Sequence, residues 1–357
     1  MSHTVQIDFR RNLKSVLCMW VAGVETALKC LVAGVAGFIG SNLAEELVRK
    51  GHEVFGVDCF TDYYPRKLKE ANLATLGSTE NFTFIEGNLL DVDLYEGLPG
   101  IECVFHLAAQ PGVRGAWGSG FRPYVENNVM ATQVLLEAAK SMSLSKFVYA
   151  SSSSIYGEAE TYPTPEAAIP RPTSPYGATK LAGETLCYAY HKNFGIPIII
   201  LRYFSVYGPR QRPEMAFARF IRAMTLKQTI SVFGDGTQTR DFTFVDDIVH
   251  ATILAAESEH TLEVFNVGGG SRTTLMDAIR FLQTQIDSSS QIVFLPTQKG
   301  DVHDTCADIS KARDMLGYAP CVGLQQGLAS EVKYFQSHPS DAAREDRTQN
   351  STSHRIR

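Results

Sequence analysis

Lys29-Cys30-Leu31-Val32-Ala33-Gly34-Val35-Ala36-Gly37-Phe38-Ile39-Gly40-Ser41-Asn42-Leu43-Ala44-Glu45-Glu46-Leu47-Val48 sets the course of the whole chain. A short apolar run, the length of a buried strand, meets three glycines spaced G-x-x-G-x-x-G. Apolar residues at Leu43, Ala44, Leu47 and Val48 then mark one face of a helix. Strand, glycine turn and helix together can hold a dinucleotide pyrophosphate. Gly34 lets the chain turn tightly, Gly37 lets the backbone approach the phosphates, and Gly40 lets helix pack on strand. The helix N-terminus faces the anion with free N–H groups and a partial positive charge. A glycine turn made for steric reasons alone would read the same way, so the stretch needs company.

It has some. His52-Glu53-Val54-Phe55-Gly56-Val57 reads as a second strand and ends in Asp58, 18 residues past Gly40. A carboxylate there binds the ribose hydroxyls and repels a 2′-phosphate, which favours NAD over NADP. Strand and helix patterns continue to alternate to about Val206, the signature of βαβ units and a parallel sheet. Further strands are read at Phe82–Glu86, Ile101–Leu107, Lys146–Ala150 and Ile196–Arg202, with a long helix over Val125–Ser141. All should end on one edge of the sheet, where ligands bind. Beyond Val206 the texture changes. Turn signals such as Gly234-Asp235-Gly236 separate helices near Met215–Leu226 and Thr274–Asp287, and Gly317-Tyr318-Ala319-Pro320 closes another. The fold class is α/β: a Rossmann-type doubly wound parallel sheet over residues 29–205. A smaller C-terminal α/β lobe follows over 206–336, with some chain crossing back.

Bulk properties bound the function. The 357 residues are 44% hydrophobic and 20% charged with net charge −5, an ordinary soluble composition with no footprint for nucleic acid. Seven scattered cysteines form no C-x-x-C pair or metal cluster and point to a reducing, cytoplasmic setting. No apolar run is long enough to span a bilayer. Residues 1–28 read as an N-terminal extension. Its basic Arg10-Arg11 followed by apolar Val16–Val24 is faintly like an export signal, without a clean cleavage site. Residues 337–357 are polar and charged and read as a disordered tail.

The second decisive stretch is Ser174-Pro175-Tyr176-Gly177-Ala178-Thr179-Lys180. Tyr176 and Lys180 are four apart on one helix face. A lysine beside a tyrosine hydroxyl favours the phenolate, so Tyr176 is expected to have a lowered pKa and to act as a general base. An ordinary surface pair would have the same spacing. Here the pair follows a strand that enters Ser151-Ser152-Ser153-Ser154.

Together these residues resemble the extended short-chain dehydrogenase/reductases, and within them the NAD-dependent sugar-nucleotide epimerases, from about Lys29 to Phe335. Three stretches resemble the UDP-glucuronate 4-epimerase branch: His106–Arg114, Leu201–Pro213 and Gln298–Val302. The resemblance implies that Tyr176 removes the sugar 4-OH proton as hydride leaves C4 for NAD. Ser152 would bond the same oxygen, and Lys180 would hold the nicotinamide ribose. NAD would contact Gly34, Gly37, Phe38, Ile39, Gly40, Asp58, Asn88, Leu89, Leu107, Ala108, Ala109, Asn128 and Lys180. Asn88 departs from the family's usual Asp. Arg212, Arg219 and Arg240 would clamp the nucleotide, Asp301 would hold the uridine ribose, and Arg114 would reach a phosphate. Arg240-Asp241 as a plain turn ion pair remains open.

Sibling decarboxylases carry a Glu at the place of Ser154, and dehydratases an Asp-Glu pair at Ser153-Ser154. Neither acid is present. Hydroxyls of Ser153, Ser154 and Ser205 could hold a uronate carboxylate instead, or merely solvate a loop. The expected reaction is C4 epimerisation of UDP-glucuronate to UDP-galacturonate. UDP-glucose or UDP-N-acetylglucosamine is the main alternative substrate, followed by decarboxylation or dehydration. A redox-sensing binding protein on the same fold is the non-enzymatic alternative. The family also implies a homodimer through the helices at Val125–Ser141 and Tyr176–Phe194, with no metal and no membrane partner.

Overall fold

The computed structural model describes residues 27–91, 98 and 100–338. The expected N-terminal extension and C-terminal tail lie almost wholly outside them. The first half runs β1 (Lys29–Ala33), α1 (Phe38–Arg49), β2 (Glu53–Asp58), α2 (Arg66–Asn72), β3 (Phe82–Glu86), β4 (Cys103–His106), α3 (Arg122–Tyr124), α4 (Ala131–Ala139), β5 (Lys146–Ser152), α5 (Pro175–Phe194) and β6 (Ile198–Tyr203). The second runs β7 (Val206–Tyr207), α6 (Ala216–Thr225), β8 (Ile230–Phe233), β9 (Thr239–Arg240), β10 (Thr243–Phe244), α7 (Val245–Glu257), β11 (Glu263–Val267), β12 (Thr273–Thr274), α8 (Leu275–Ile286), β13 (Ile292–Leu295), α9 (Ser310–Leu316) and α10 (Leu324–Ser337).

Seven strands form one sheet in the order β11-β6-β5-β4-β1-β2-β3, every pair parallel. The order reverses between β1 and β4, which opens a crevice at their carboxyl ends. The inner strands β1, β4, β5 and β6 are largely apolar and buried because both faces are covered. Cys30 and Val32 of β1 enter one core while Leu31 and Ala33 enter the other. Strand β5 divides likewise, Val148 and Ala150 against Phe147 and Tyr149. The second face is packed by α4 through Leu135 and Leu136 and by α5 through Cys187 and Tyr190.

The helix expected over Val125–Ser141 is not regular. A π-helical turn over Val125–Met130 separates α3 from α4. Apolar spacing reports which face is buried, not one wide turn, so the sequence is silent on it. Helix α5 has clear end signals. Ser174 Oγ accepts from Gly177 N at 3.1 Å, Pro175 fills the first turn, and Gly195 ends the helix at φ +72°. Tyr176 therefore sits in the first turn, at the crevice.

In the second half, amphipathic α6 buries Phe217, Ala218, Phe220, Ile221 and Met224 in the same core as one face of the sheet. Strands β8 and β13 pair beside it, and Gly317 at φ +69° closes α9. After α6 and β8 the chain returns through α7 to lay β11 against β6.

Candidate active site

The glycine turn is shaped by close approach. Gly34 has φ +84°, and a Cβ on it would lie 2.7 Å from Ala108 N. A Cβ on Gly40 would lie 2.1 Å from Gly34 O, so any larger residue would push α1 off the turn. In front of this turn opens a cleft. Gly34, Gly37, Phe38, Ile39, Gly40, Asp58, Asn88, Leu89, Leu107, Ala108, Ala109 and Lys180 all line it. Asp58 ends β2 and accepts from Ala36 N at 3.2 Å and Phe60 N at 2.8 Å. Burial pushes its carboxyl up, and Lys69 opposes this.

Asn128 is a correction to the cofactor set. Asn127 and Ala131 line the cleft, whereas Asn128 is buried behind it. Its Oδ1 accepts from Gln110 N at 2.7 Å, and its Nδ2 donates to Gln110 O at 3.1 Å and Thr179 Oγ1 at 2.9 Å. It ties the loop after β4 to the helix carrying Tyr176.

Tyr176 lies in the cleft, with Ser152 at the end of β5 close enough to act on its hydroxyl. Burial pushes its hydroxyl above the ordinary value, while Ser152 and the Arg212 guanidinium pull the other way. The sequence reading assigned that pull to Lys180 and expected it to win. The structure differs: the Lys180 ammonium donates to Ala150 O at 2.8 Å, and desolvation outweighs the pulls on Tyr176. Burial also lowers Lys180 to about 8. Tyr124 packs edge-on to Tyr176 with ring centroids 6.2 Å apart.

The serines form a compact turn. Ser154 N donates to Ser152 Oγ at 3.1 Å, and Ser153–Ile155 makes one 3₁₀ turn. Ser205 joins β6 to β7, with its carbonyl accepting from Thr243 N. The arginines divide into two places. Arg114 pairs with Asp301 at 2.7 Å, and both Arg114 and Arg219 stack on the Phe233 ring, at 4.3 and 5.3 Å. Arg240 donates to Val302 O and His303 O, both at 2.7 Å, and burial lowers its pKa while Asp301 opposes. Arg212 is apart from them. It lines the cofactor cleft beside Tyr63 and Tyr64 and pairs with Glu214 at 2.7 Å. Asp241 is no turn partner of Arg240, since its carboxylate accepts from Gly269 N at 2.7 Å and Ala307 N at 2.9 Å.

Sequence reasoning missed Lys69, Tyr63, Tyr64 and Phe233. Lys69 lines the cleft near Asp58 and donates to Thr61 O at 2.7 Å. The aromatic pair Tyr63-Tyr64 in a loop at a strand's carboxyl end was the available signal. Among the described residues no three His, Cys, Asp or Glu side chains could hold a metal, and no helix is long and apolar enough to cross a membrane.

Comparison with known proteins follows the same lines. Residues 30–268 match the model of the NAD dependent epimerase/dehydratase family. An uncharacterized UDP-glucose epimerase of Bacillus subtilis, YtcB, is 44% identical over 87% of this chain and 98% of its own length. A UDP-glucuronate 4-epimerase of Thermodesulfobacterium geofontis is 39% identical over 86% of this chain and 96% of its own. The crystal structure of UDP-glucuronic acid 4-epimerase from Bacillus cereus, in complex with UDP-glucuronic acid and NAD, superposes with TM-score 0.85. It is 47% identical and covers 87% of this chain and all of its own.

Proposed function

The chain belongs to the NAD dependent epimerase/dehydratase family, and we propose that it inverts C4 of UDP-glucuronate to give UDP-galacturonate. The observation that carries this is Tyr176, half-buried in the cofactor cleft beside Ser152 and flanked by a turn of hydroxyls without an acid.

The cleft fits NAD. Gly34 and Gly40 leave backbone-lined space at the N-terminus of α1, and Asp58 stands where a ribose diol is bound and a 2′-phosphate refused. NAD supplies a reversible acceptor for the C4 hydride. Tyr176 takes the 4-OH proton and later returns it, and Ser152 holds the same oxygen. Lys180, anchored on Ala150 O, braces the cofactor ribose. Ser153, Ser154 and Ser205 seat the uronate carboxylate by charge-assisted hydrogen bonds. With no acid at Ser153 or Ser154, the chain lacks the groups that sibling decarboxylases and dehydratases carry there. Arg212 faces an anionic group of the sugar nucleotide from beside Tyr176. Arg114, Arg219 and Arg240 clamp the nucleotide around Phe233, with Asp301 at the uridine ribose. Two copies pair through the outer faces of the π turn and α5, where Met130, Tyr188 and Phe194 are exposed. Free thiols at Cys30, Cys103 and Cys187 suit a reducing cytoplasm.

The test is purified protein with UDP-glucuronate and no added NAD, followed by chromatography and mass spectrometry. The expected product is UDP-galacturonate of unchanged mass, and Tyr176→Phe should keep NAD and lose turnover. A product lighter by CO₂, or turnover of UDP-glucose alone, overturns the uronate reading.

A further inference from the structure

Glu184 continues the series Tyr176, Lys180, Glu184 along one face of α5. Arg202 in β6 meets it with a two-pronged pair, Nε to Oε1 at 3.0 Å and Nη2 to Oε2 at 2.7 Å. Both side chains are 7% exposed. The pair has three further partners, one of them the Glu166 carbonyl, which accepts from Arg202 Nη1 at 3.0 Å. Ser151 Oγ donates to Glu184 Oε1. Arg202 Nη1 donates to Tyr156 Oη at 2.7 Å, and Tyr156 Oη donates on to Asn266 Oδ1 at 2.8 Å. Ser151 precedes Ser152, and Tyr156 follows the turn Ser153–Ile155. One buried ion pair therefore grips the serine turn at both ends and ties it to the helix that carries Tyr176.

Stability alone is a poor reason for such a pair. Desolvating two charges costs about what their attraction returns, and apolar replacements are often neutral or stabilising. Geometry is a better one. A misplacement of about 1 Å at a reacting centre can cost about 10²-fold in rate.

We propose that Glu184, Arg202 and Tyr156 are positioning residues: they set the serine turn against Tyr176 and so set the preference for a uronate over a neutral sugar. The preference rests on the reading of Ser153 and Ser154 as the carboxylate seat.

The test uses the full chain with its bound NAD, as wild type, as Glu184→Leu with Arg202→Leu, and as Tyr156→Phe. Melting temperature, NAD content, kcat and KM are measured with UDP-glucuronate and with UDP-glucose. Both variants are expected to keep NAD and to melt near the wild type. For UDP-glucuronate, kcat should fall about 10²-fold in the double variant and about tenfold in Tyr156→Phe. The ratio of kcat/KM between uronate and glucose should fall by about tenfold or more. A merely loosened protein loses both sugars in proportion, so an unchanged ratio overturns the proposal. If the double variant does not fold, Tyr156→Phe, which keeps the ion pair, decides alone. If the wild type converts UDP-glucose but not UDP-glucuronate, the uronate reading fails separately. The positioning claim then stands or falls on whether kcat for UDP-glucose drops about tenfold in Tyr156→Phe.

Discussion

His106, the last residue of β4, is buried, with Lys180 of α5 close enough for its charge to act on the ring. Its Nε2 lies 2.8 Å from Thr132 Oγ1, whose own proton goes to Asn128 O at 2.6 Å. The ring must therefore donate from Nε2, and Nδ1 is left without a partner. Burial, with the Lys180 charge behind it, lowers His106 to about 3 from 6.5. Between those values the unfolded chain binds a proton that the folded one refuses. Stability is thus expected to fall as pH drops from about 6.5 toward 3, by up to about 1.4 kcal/mol per pH unit from this group. Denaturant melts across that range check it, and His106→Phe should flatten the slope. Residues of this kind divide by how they could be read. Tyr176, Lys180 and Gly34 were legible because short spacing within one element defines them. Lys69, Phe233 and the separate place of Arg212 were not, because each depends on which loops the fold brings together.

At the scale of elements, the π turn over Val125–Met130 is the clearest departure from sequence periodicity. It brings Asn128 inward, where one amide serves both backbone groups of Gln110 and the hydroxyl of Thr179. Truncating it strands a buried N–H and C=O. Asn128→Ala is expected to cost about 1–3 kcal/mol in denaturant unfolding. The strands and α5 were legible for the opposite reason. Their signals are local: continuous apolar runs for strands covered on both faces, and Ser174, Pro175 and Gly195 at the ends of α5. A wide turn inside a helix changes neither composition nor capping, so nothing local announces it.

On the scale of the whole molecule, β11 matters most. The sequence suggested chain crossing back but not where, since Glu263–Val267 is one short apolar run among several in the second half. Its pairing with β6 covers a strand whose six residues are all buried. A chain ending at residue 258 would leave β6 as a bare apolar edge. Such a fragment is expected to aggregate and to bind no NAD, as gel filtration and nucleotide analysis would show.

The same crossing bears on how the protein is made. Strand β6 leaves the ribosome before its outer neighbour has been translated. At roughly 5–20 residues per second, the stretch from Tyr203 to Glu263 takes roughly 3–12 s. For that interval the nascent chain holds a complete glycine turn and α5 on a sheet it cannot yet close. Slow codons in this stretch would lengthen the exposure, and a chaperone that shields strand edges has its natural window here.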